Sequence, residues 1–406
     1  MIEQTTNLSR DTFDVVIAGG AMTGATLALM LDRAFSGALS IAVVEPFQVD
    51  QQHPGFDSRS IALSYGTVQI LQHFQLWPEI EKVATAITHI SVTDQGHAGM
   101  TDIDAGRENL EALGYVVELA DVGRLYQQLL AQSASISWVC PERISQVERS
   151  QDLVTINLQQ GQKLTAKLLV AADGALSESS QQLGLALDEH DFHQVAVIAN
   201  IGLAQPHLGQ AFERFTSSGP LALLPMSDDR MSLVWCVAPE RAEQLLQLDE
   251  TSFLEQLQQQ FGWRLGKLVK VGERASYPLI MRSRPQTISH RFAVVGNAAQ
   301  TLHPIAGQGF NLGIRDAVSL VESLLMARNA AEESLDVGEY SYLNHYQNRR
   351  QADRQLTMTM TSSLVHLFSN QWLPTMVGRN LGLMISDTIP CLNKPLLQRT
   401  LGLVSR

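Results

Sequence analysis

Residues 13–45 read FDVVIAGGAMTGATLALMLDRAFSGALSIAVVE, and the fold depends on how this stretch is parsed. Taken as one apolar block, Phe13 to Leu31 has about the length of a membrane-spanning helix. Its texture argues against that. It opens on β-branched residues, breaks at Gly19 and Gly20, and resumes as an Ala/Leu/Met run, which fits a buried strand, a tight turn and a helix. The spacing predicts a central parallel strand over Phe13 to Ala18, a helix over Gly24 to Arg33 ended by Gly37, and a second strand over Ser40 to Glu45. In this βαβ unit the turn Gly19-Gly20-Ala21-Met22-Thr23-Gly24 opens the helix, so free backbone N–H groups and the positive end of the helix dipole are offered to a pyrophosphate. Glu45, at the end of the second strand, is placed to accept hydrogen bonds from a ribose. Ala21 stands where the usual fingerprint has its second glycine; its methyl is tolerable at negative φ and is expected to weaken cofactor retention. The pattern points to a dinucleotide without saying which, and a plain core turn remains the other reading.

Beyond this unit come an amphipathic segment, Val122 to Ala131, and two strands, Leu153 to Leu158 and Leu164 to Ala172, the latter running into Asp173-Gly174. Between about Gln181 and Tyr277 the texture changes. Short runs such as Val195 to Ile201, Ala211 to Thr216, Leu221 to Pro225 and Met231 to Val237 alternate with turn residues and predict an antiparallel sheet in a separate layer. Phe292 to Val295 then enters GNAAQTLHPIAGQGFNLGIRD (residues 296–316), after which the chain reads as mostly helical. The expected architecture is α/β: a discontinuous Rossmann-like cofactor domain over 10–80, 114–180 and 278–345, an inserted antiparallel-sheet substrate domain over 81–113 and 181–277, and a C-terminal helical region over 346–406.

With 406 residues, 45% of them hydrophobic, the chain is long and apolar enough for two packed cores. A formal net charge of −12 repels a phosphate backbone, so nucleic acid is not expected as a partner. Cys140, Cys236 and Cys391 lie far apart without a C-x-x-C pair, which suggests neither a disulfide framework nor a zinc or other metal site and fits a reducing compartment. The opening MIEQTTNLSR has no apolar core or cleavage signal and reads as a short flexible tail, so a cytoplasmic location is expected.

Gly296-Asn297 and the run His303-Pro304-Ile305-Ala306-Gly307-Gln308-Gly309-Phe310-Asn311 lead into a helix over Asn311 to Leu325. Backbone donors at such a helix start suit negative charge on a flavin ring. A plain loop-to-helix junction does not call for so many small residues at fixed places. Asp173-Gly174 by itself is only a turn. In order and spacing, however, the glycine turn with Glu45, Asp173-Gly174, Gly296-Asn297 and HPIAGQGFNLGIRD together resemble the single-component FAD-dependent aromatic hydroxylases over nearly the whole chain. The form H-P-x-A-G-Q-G-x-N-x-G-x-x-D is similar to that of their ubiquinone-biosynthesis branch, as are HPGFDSRSIALS (53–64), FERFTSSGPLALLPMSDDRMSLVW (212–235), FGWRLGK (261–267) and SLVHLF (363–368).

The resemblance implies an FAD-binding domain of the glutathione-reductase type, with NADPH or NADH and O2 as co-substrates and hydroxylation through a flavin C4a-hydroperoxide. It places Gly19, Gly20, Ala21, Gly24 and Glu45 at the ADP half of FAD, Arg59 near flavin and pyrophosphate, and Asp173 at the cofactor from the second turn. Asn297, where the wider class has Asp, contacts the ribityl chain, and Gly307, Gln308, Gly309 and Asn311 complete the flavin end. Ser180 replaces the arginine that often follows the Asp-Gly turn, which puts that arginine's nicotinamide role in doubt here. Phe212, Phe215, Leu223, Pro225 and Trp235 lie on the sheet expected to roof the flavin and suit an aromatic ring with a prenyl tail, with ordinary sheet core as the alternative for each. His303 is the candidate for proton handling, because an imidazole titrates near neutral pH; a structural histidine before proline is its other reading.

The expected substrate is a prenylated methoxyphenol. A hydroxylase acting at another ring position, a simple NAD-dependent dehydrogenase, and a non-catalytic prenyl-quinone-binding scaffold that keeps FAD for structure stay as alternatives. Met358 to Phe368 and Trp372 to Ile385, with Arg349, Arg350 and Arg354 nearby, are read as core packing in preference to a peripheral contact with the inner membrane. A complex with other ubiquinone-biosynthesis proteins is left open by the resemblance.

Overall fold

Strand β1 (Thr12–Ala18), helix α1 (Met22–Ala34) and strand β2 (Ile41–Val44) form the start of an eight-stranded sheet in the computed structural model, which describes residues 10–48, 59–97, 99–330, 335–369 and 397–404. The tail before Arg10, the stretch Trp372 to Ile385 and Cys391 lie outside the described residues. β1 pairs in parallel with β2 on one side and with Lys163–Ala171 on the other; Ile136–Val139 and Phe292–Val294 extend the sheet at its two flanks, again in parallel. Because side chains alternate across a strand, Val15 and Ile17 enter one core with α1, while Val16 and Ala18 enter a second on the opposite face, which Phe13 at the strand's start also joins. All three of Val15, Val16 and Ile17 are 0% exposed, which explains the unbroken apolar run: a strand covered on both faces has no solvent side to alternate with. Burial of each such side chain contributes roughly 1.5–3 kcal/mol.

A nine-stranded sheet forms the second layer. Its strands run in the order Gln300–Thr301, Ala275–Ser283, Asp188–Leu203, Arg230–Val237, Gly219–Met226, Gln210–Thr216, His89–Asp94, Met100–Asp104, with Leu268–Val271 also on Asp188–Leu203. Every pairing is antiparallel except that of Gln210–Thr216 with His89–Asp94. The region read for strands alone also contains two helices, Pro239–Gln247 and Glu250–Phe261. Their signals are local and physical. Pro239 occupies the first turn of one, and the Asp249 side chain accepts the Ser252 N–H (3.0 Å) to cap the other. Phe253, Leu257 and Phe261, one helical turn apart, bury against the sheet.

A three-stranded sheet of Ser60–Ser64, Gly114–Glu118 and Thr85–Ile87 joins the two layers. The helices Gln308–Ala330 and Tyr340–Ser369 then pack on each other through buried ion pairs: Arg350 on Asp316 and Asp353, and Arg315 on Asp353, all four residues at most 7% exposed. Arg354, also buried, donates to Gln300 and to the Arg284 carbonyl, and Arg349 pairs with Glu322. Val365 and Phe368 pack on Phe215 and Ile305. Arg350, Arg354, Val365 and Phe368 are thus packed inward, while Leu356 and Leu367 on the same helix are exposed. No helix among the described residues is long and apolar enough to cross a membrane.

Candidate functional site

Three turns far apart in sequence meet, and glycines set how closely. Gly19 has φ +92°, and a Cβ there would lie 2.5 Å from the Ala172 carbonyl oxygen, so the first turn touches the strand end that leads to Asp173. Gly24 is helical but lies under that same turn: a Cβ on it would sit 1.9 Å from the Gly19 carbonyl oxygen. Gly296, at φ +62°, and Gly313 both close on Thr23, bringing the Gly296-Asn297 turn and the start of the long helix against the first turn. The Gly296 turn is held from behind. Asp316 accepts the Gly296 N–H (3.2 Å) and the Gln300 amide (2.6 Å) on one oxygen and the Arg350 guanidinium (2.8 Å) on the other.

Among the described residues these turns border a cavity of about 1430 Å³. Pockets for a single drug-sized ligand run to roughly 300–1,000 Å³, so this one is large enough for a ligand of dinucleotide size with space beside it. Gly19, Ala21, Glu45, Arg59, Asp173, Asn297, Gly307 and Gly309 line it. Ala21 has φ −70°, an ordinary value for alanine, and α1 starts beside it with no side-chain cap and no acidic residue in its first turn. Glu45 is 3% exposed; its carboxylate accepts the Gly20 N–H (2.6 Å) and the Phe47 N–H (2.9 Å), which fixes its position at the cavity wall. Asp173 accepts the Ser179 N–H (3.1 Å) on one oxygen while the other, Oδ1, is buried without a partner. Burial pushes its carboxyl above the ordinary range.

Four expected cofactor contacts serve the site differently. Gly20 and Gly24 are absent from the wall: Gly20 packs on Trp138 and orients Glu45, and Gly24 permits the helix to approach. Asn311 is 1% exposed and fully engaged, accepting the Ser64 N–H (2.9 Å) and donating to the carbonyls of Ala62 (2.9 Å) and Gly307 (2.7 Å). It ties the small sheet to the HPIAGQG loop. The Gln308 amide reaches the Thr400 carbonyl (3.5 Å), part of a C-terminal turn that returns to the cavity.

The sheet end is lined by the other face of the strands than size suggested. Leu223 and Trp235 are at most 2% exposed and point away from the cavity into the core with Phe253 and Leu257; Pro225 shares that face by the two-residue period. The small and middle-sized neighbours Ala222, Leu224 and Val234 face the cavity instead. Phe215 lines it as expected from its face, stacked on Phe368 at 3.6 Å, and Phe212 borders it while packing edge-on against Phe261 at 5.2 Å. Sequence reasoning also missed Leu397 and Thr400 on the wall. Their turn is locked by the Gly66 N–H donating to the Leu401 carbonyl (2.7 Å) and by a close approach of Gly66 to Gly402, where a Cβ would meet the Gly402 oxygen at 2.3 Å.

His303 lines the cavity but does not titrate near neutral pH. It is 1% exposed, and burial pushes the imidazole down to about 4, so it is neutral at pH 7. Arg59 borders the cavity with its guanidinium 5.1 Å from the centre of the Tyr277 ring.

These residues fit FAD. The uncapped start of α1 suits a pyrophosphate, the fixed Glu45 carboxylate suits a ribose diol, and the buried unpaired oxygen of Asp173 needs the hydroxyl donor that a ribityl chain carries. The FAD binding domain family model matches residues 12–357. The chain is 31% identical to ubiquinone hydroxylase UbiL of Rhodospirillum rubrum over 395 residues, covering 96% of this chain and 89% of that protein. It is 30% identical to the 3-demethoxyubiquinol 3-hydroxylase of Escherichia coli, covering 96% and 98%. In fold it is similar to p-nitrophenol 4-monooxygenase PnpA of Pseudomonas putida (TM-score 0.78, 18% identity, 97% and 99% coverage). It is similar also to a variant of HpxO of Klebsiella pneumoniae solved with FAD (TM-score 0.72, 15% identity, 96% and 98% coverage). The glycine turns, the cavity they border and these likenesses agree: the chain belongs to the FAD binding domain family, among its flavin-dependent ubiquinone-biosynthesis hydroxylases.

Proposed function

We propose that the protein hydroxylates the aromatic ring of a prenylated methoxyphenol in ubiquinone biosynthesis, using O2 and NADPH or NADH. The observation that carries the reading is one continuous cavity, polar and glycine-walled at one end and apolar at the other, where Ile90, Ile103, Phe215, Leu224, Leu364 and Phe368 face it. The ring position proposed is the one hydroxylated on 2-octaprenyl-6-methoxyphenol, on the strength of the stretches at 212–235 and 261–267.

FAD, when bound, would supply the redox chemistry, hydride acceptance from the nicotinamide and activation of O2. The chain does the rest. The α1 N-terminus and Glu45 would hold the nucleotide half, Asp173 and Asn297 would hold the chain toward the flavin, and Asp316 keeps the Gly296 turn in place. The Phe215–Phe368 stack and Ile305 wall the chamber with carbon, excluding water that would divert reducing equivalents to H2O2. Ala222 and Val234 leave width for a substituted ring.

The experiment is anaerobic reduction of the yellow holoenzyme by NADPH and by NADH, then O2 with a short-chain 2-prenyl-6-methoxyphenol, with products identified by mass spectrometry. One added oxygen on the ring is expected, with nicotinamide oxidation stimulated by the phenol. A dehydrogenase would purify without flavin, and a scaffold would show no substrate-stimulated oxidation.

A further inference from the structure

His303 is held by a clamp that decides which of its nitrogens is bare. Gln194 lies within the register shift between Asp191 and Val195 in Asp188–Leu203, and its Nε2 donates to the Ser218 carbonyl at 3.2 Å. The space for that amide is kept by Gly219, where a Cβ would come within 3.0 Å of it. A carbonyl takes only the nitrogen end of the amide, so the oxygen end, Oε1, is turned to His303 Nε2 at 3.2 Å. That oxygen can only accept. Nε2 therefore carries the proton, and in the neutral ring Nδ1 is left as a lone-pair acceptor.

Nδ1 is buried and has no partner, although the imidazole borders the cavity. A buried acceptor left unsatisfied is costly, and one on a cavity wall is satisfied when a ligand brings a donor. The surroundings indicate which ligand. Phe192 packs edge-on against the imidazole at 5.0 Å and joins the cluster of Phe215, Ile305 and Phe368, so His303 sits at the apolar end, away from the Gly19 and Asp173 turns. Burial keeps the ring unprotonated at working pH, so the lone pair is available.

We propose that His303 accepts, through Nδ1, the hydrogen bond of the substrate's phenolic hydroxyl, and that Gln194, clamped by Ser218, is the positioning residue that keeps this nitrogen bare. The assignment rests on the phenolic substrate class proposed above. It makes His303 a residue that selects and orients the hydroxyl-bearing ring edge, and so the carbon presented for hydroxylation.

The test is equilibrium binding to the oxidised holoenzyme, followed by the change in flavin absorbance and requiring no turnover. The probes are 2-geranyl-6-methoxyphenol and 3-geranylanisole, the same ring without the hydroxyl. Wild type is expected to prefer the phenol by at least about tenfold, since a site built to pair a hydroxyl discriminates against the analogue lacking it. His303→Phe should bind both within about twofold of each other, with affinity for the anisole unchanged, because the lost interaction is only the hydroxyl's. Gln194→Leu should lower the preference, because nothing then fixes which imidazole nitrogen carries the proton. A preference retained in His303→Phe, or equal binding of the two probes by wild type, overturns the assignment and leaves the substrate class standing. Failure of folded, yellow wild type to bind either probe removes the substrate class and this assignment with it.

Discussion

At the glycine end of the cavity the wall is largely backbone, and its shape is dictated by how near two chains can come; at the sheet end the wall is side chains, and its shape is dictated by which face of a strand they leave by. Gly19, Gly24 and Gly296 each occupy a place where one added carbon would strike a neighbouring turn. Ala222 and Leu223, adjacent on one strand, differ only in direction, one toward the cavity and one into the core beneath two helices. The first kind of wall writes itself into sequence as residue type at fixed spacing. The second is written only as parity, and parity does not say which set faces which side.

The sharpest way to break the glycine end is from behind. Asp316→Asn removes the charge that Arg350 faces in a site where both are 0% exposed, and weakens the bond to the Gly296 N–H. Loss of one partner of a buried pair typically costs about 3–5 kcal/mol. We expect a destabilisation of that order by urea unfolding of the holoprotein, together with a lower flavin-to-protein absorbance ratio. A small cost with full flavin content would show that the Gly296 turn is held by its own glycines alone.

At the sheet end, two substitutions on neighbouring residues should separate. Leu223→Ala is expected to cost about 2–5 kcal/mol through a cavity in the helix-covered core, leaving the KM for the phenol unchanged. Ala222→Phe should leave stability within about 1 kcal/mol, since the added ring enters open space, and raise the KM or abolish turnover. If the two exchanged phenotypes, the facing of this strand would be the reverse of that described.

That pair also shows how far the sequence could be read. The βαβ unit, the three turns and the second sheet were legible because each needs a residue type that few alternatives supply: glycine at positive φ, β-branched runs in a covered strand, proline and small residues before a helix. The strand Gly219–Met226 is apolar on both faces because both are covered, so choosing by bulk picked Leu223 and Trp235, the set that fills the core. A ligand chamber is lined by what leaves room. The segment around position 350 reads as core packing from its apolar spacing, but the buried partner of Arg350 was not legible, because Asp316 lies on another helix, 34 residues away. The turn at Leu397–Gly402 closes the cavity through contacts with Gly66 that no local pattern announces.

His303 gives a smaller effect that depends on pH. Its folded value is about 4 against 6.5 when unperturbed. Between those values the unfolded chain binds a proton that the folded chain does not, so stability is complete above about pH 6.5 and falls as pH drops toward 4. At about 1.4 kcal/mol per pH unit, the loss from this group at pH 5 is about 2 kcal/mol. Urea unfolding of wild type and His303→Phe at pH 7.5 and 5.0 isolates it, because other acid-sensitive groups are common to both. Equal pH dependence would mean that the imidazole reaches water in the folded protein, and the sheet end would then be wetter than its carbon lining implies.

The smallest expected effect returns to the glycine end, at the one position where the turn departs from glycine. Ala21 has the backbone angles of an ordinary residue, so its methyl is not strained, and Ala21→Gly relieves nothing in the protein. What it is expected to change is distance: Ala21 borders the cavity beside the uncapped start of α1, where its methyl would hold a bound pyrophosphate away from the N–H groups. Glycine should therefore tighten FAD by roughly threefold, about 0.6 kcal/mol, while the greater freedom of the unfolded chain lowers stability by about 0.4–1 kcal/mol. The two readouts move in opposite directions, which separates them: flavin retained on dilution should rise while the urea midpoint of the flavin-free protein falls. An unchanged FAD dissociation constant beside a lowered midpoint would show that the phosphates do not approach Ala21, and that close backbone contact at this end is made by the Gly19 side of the turn.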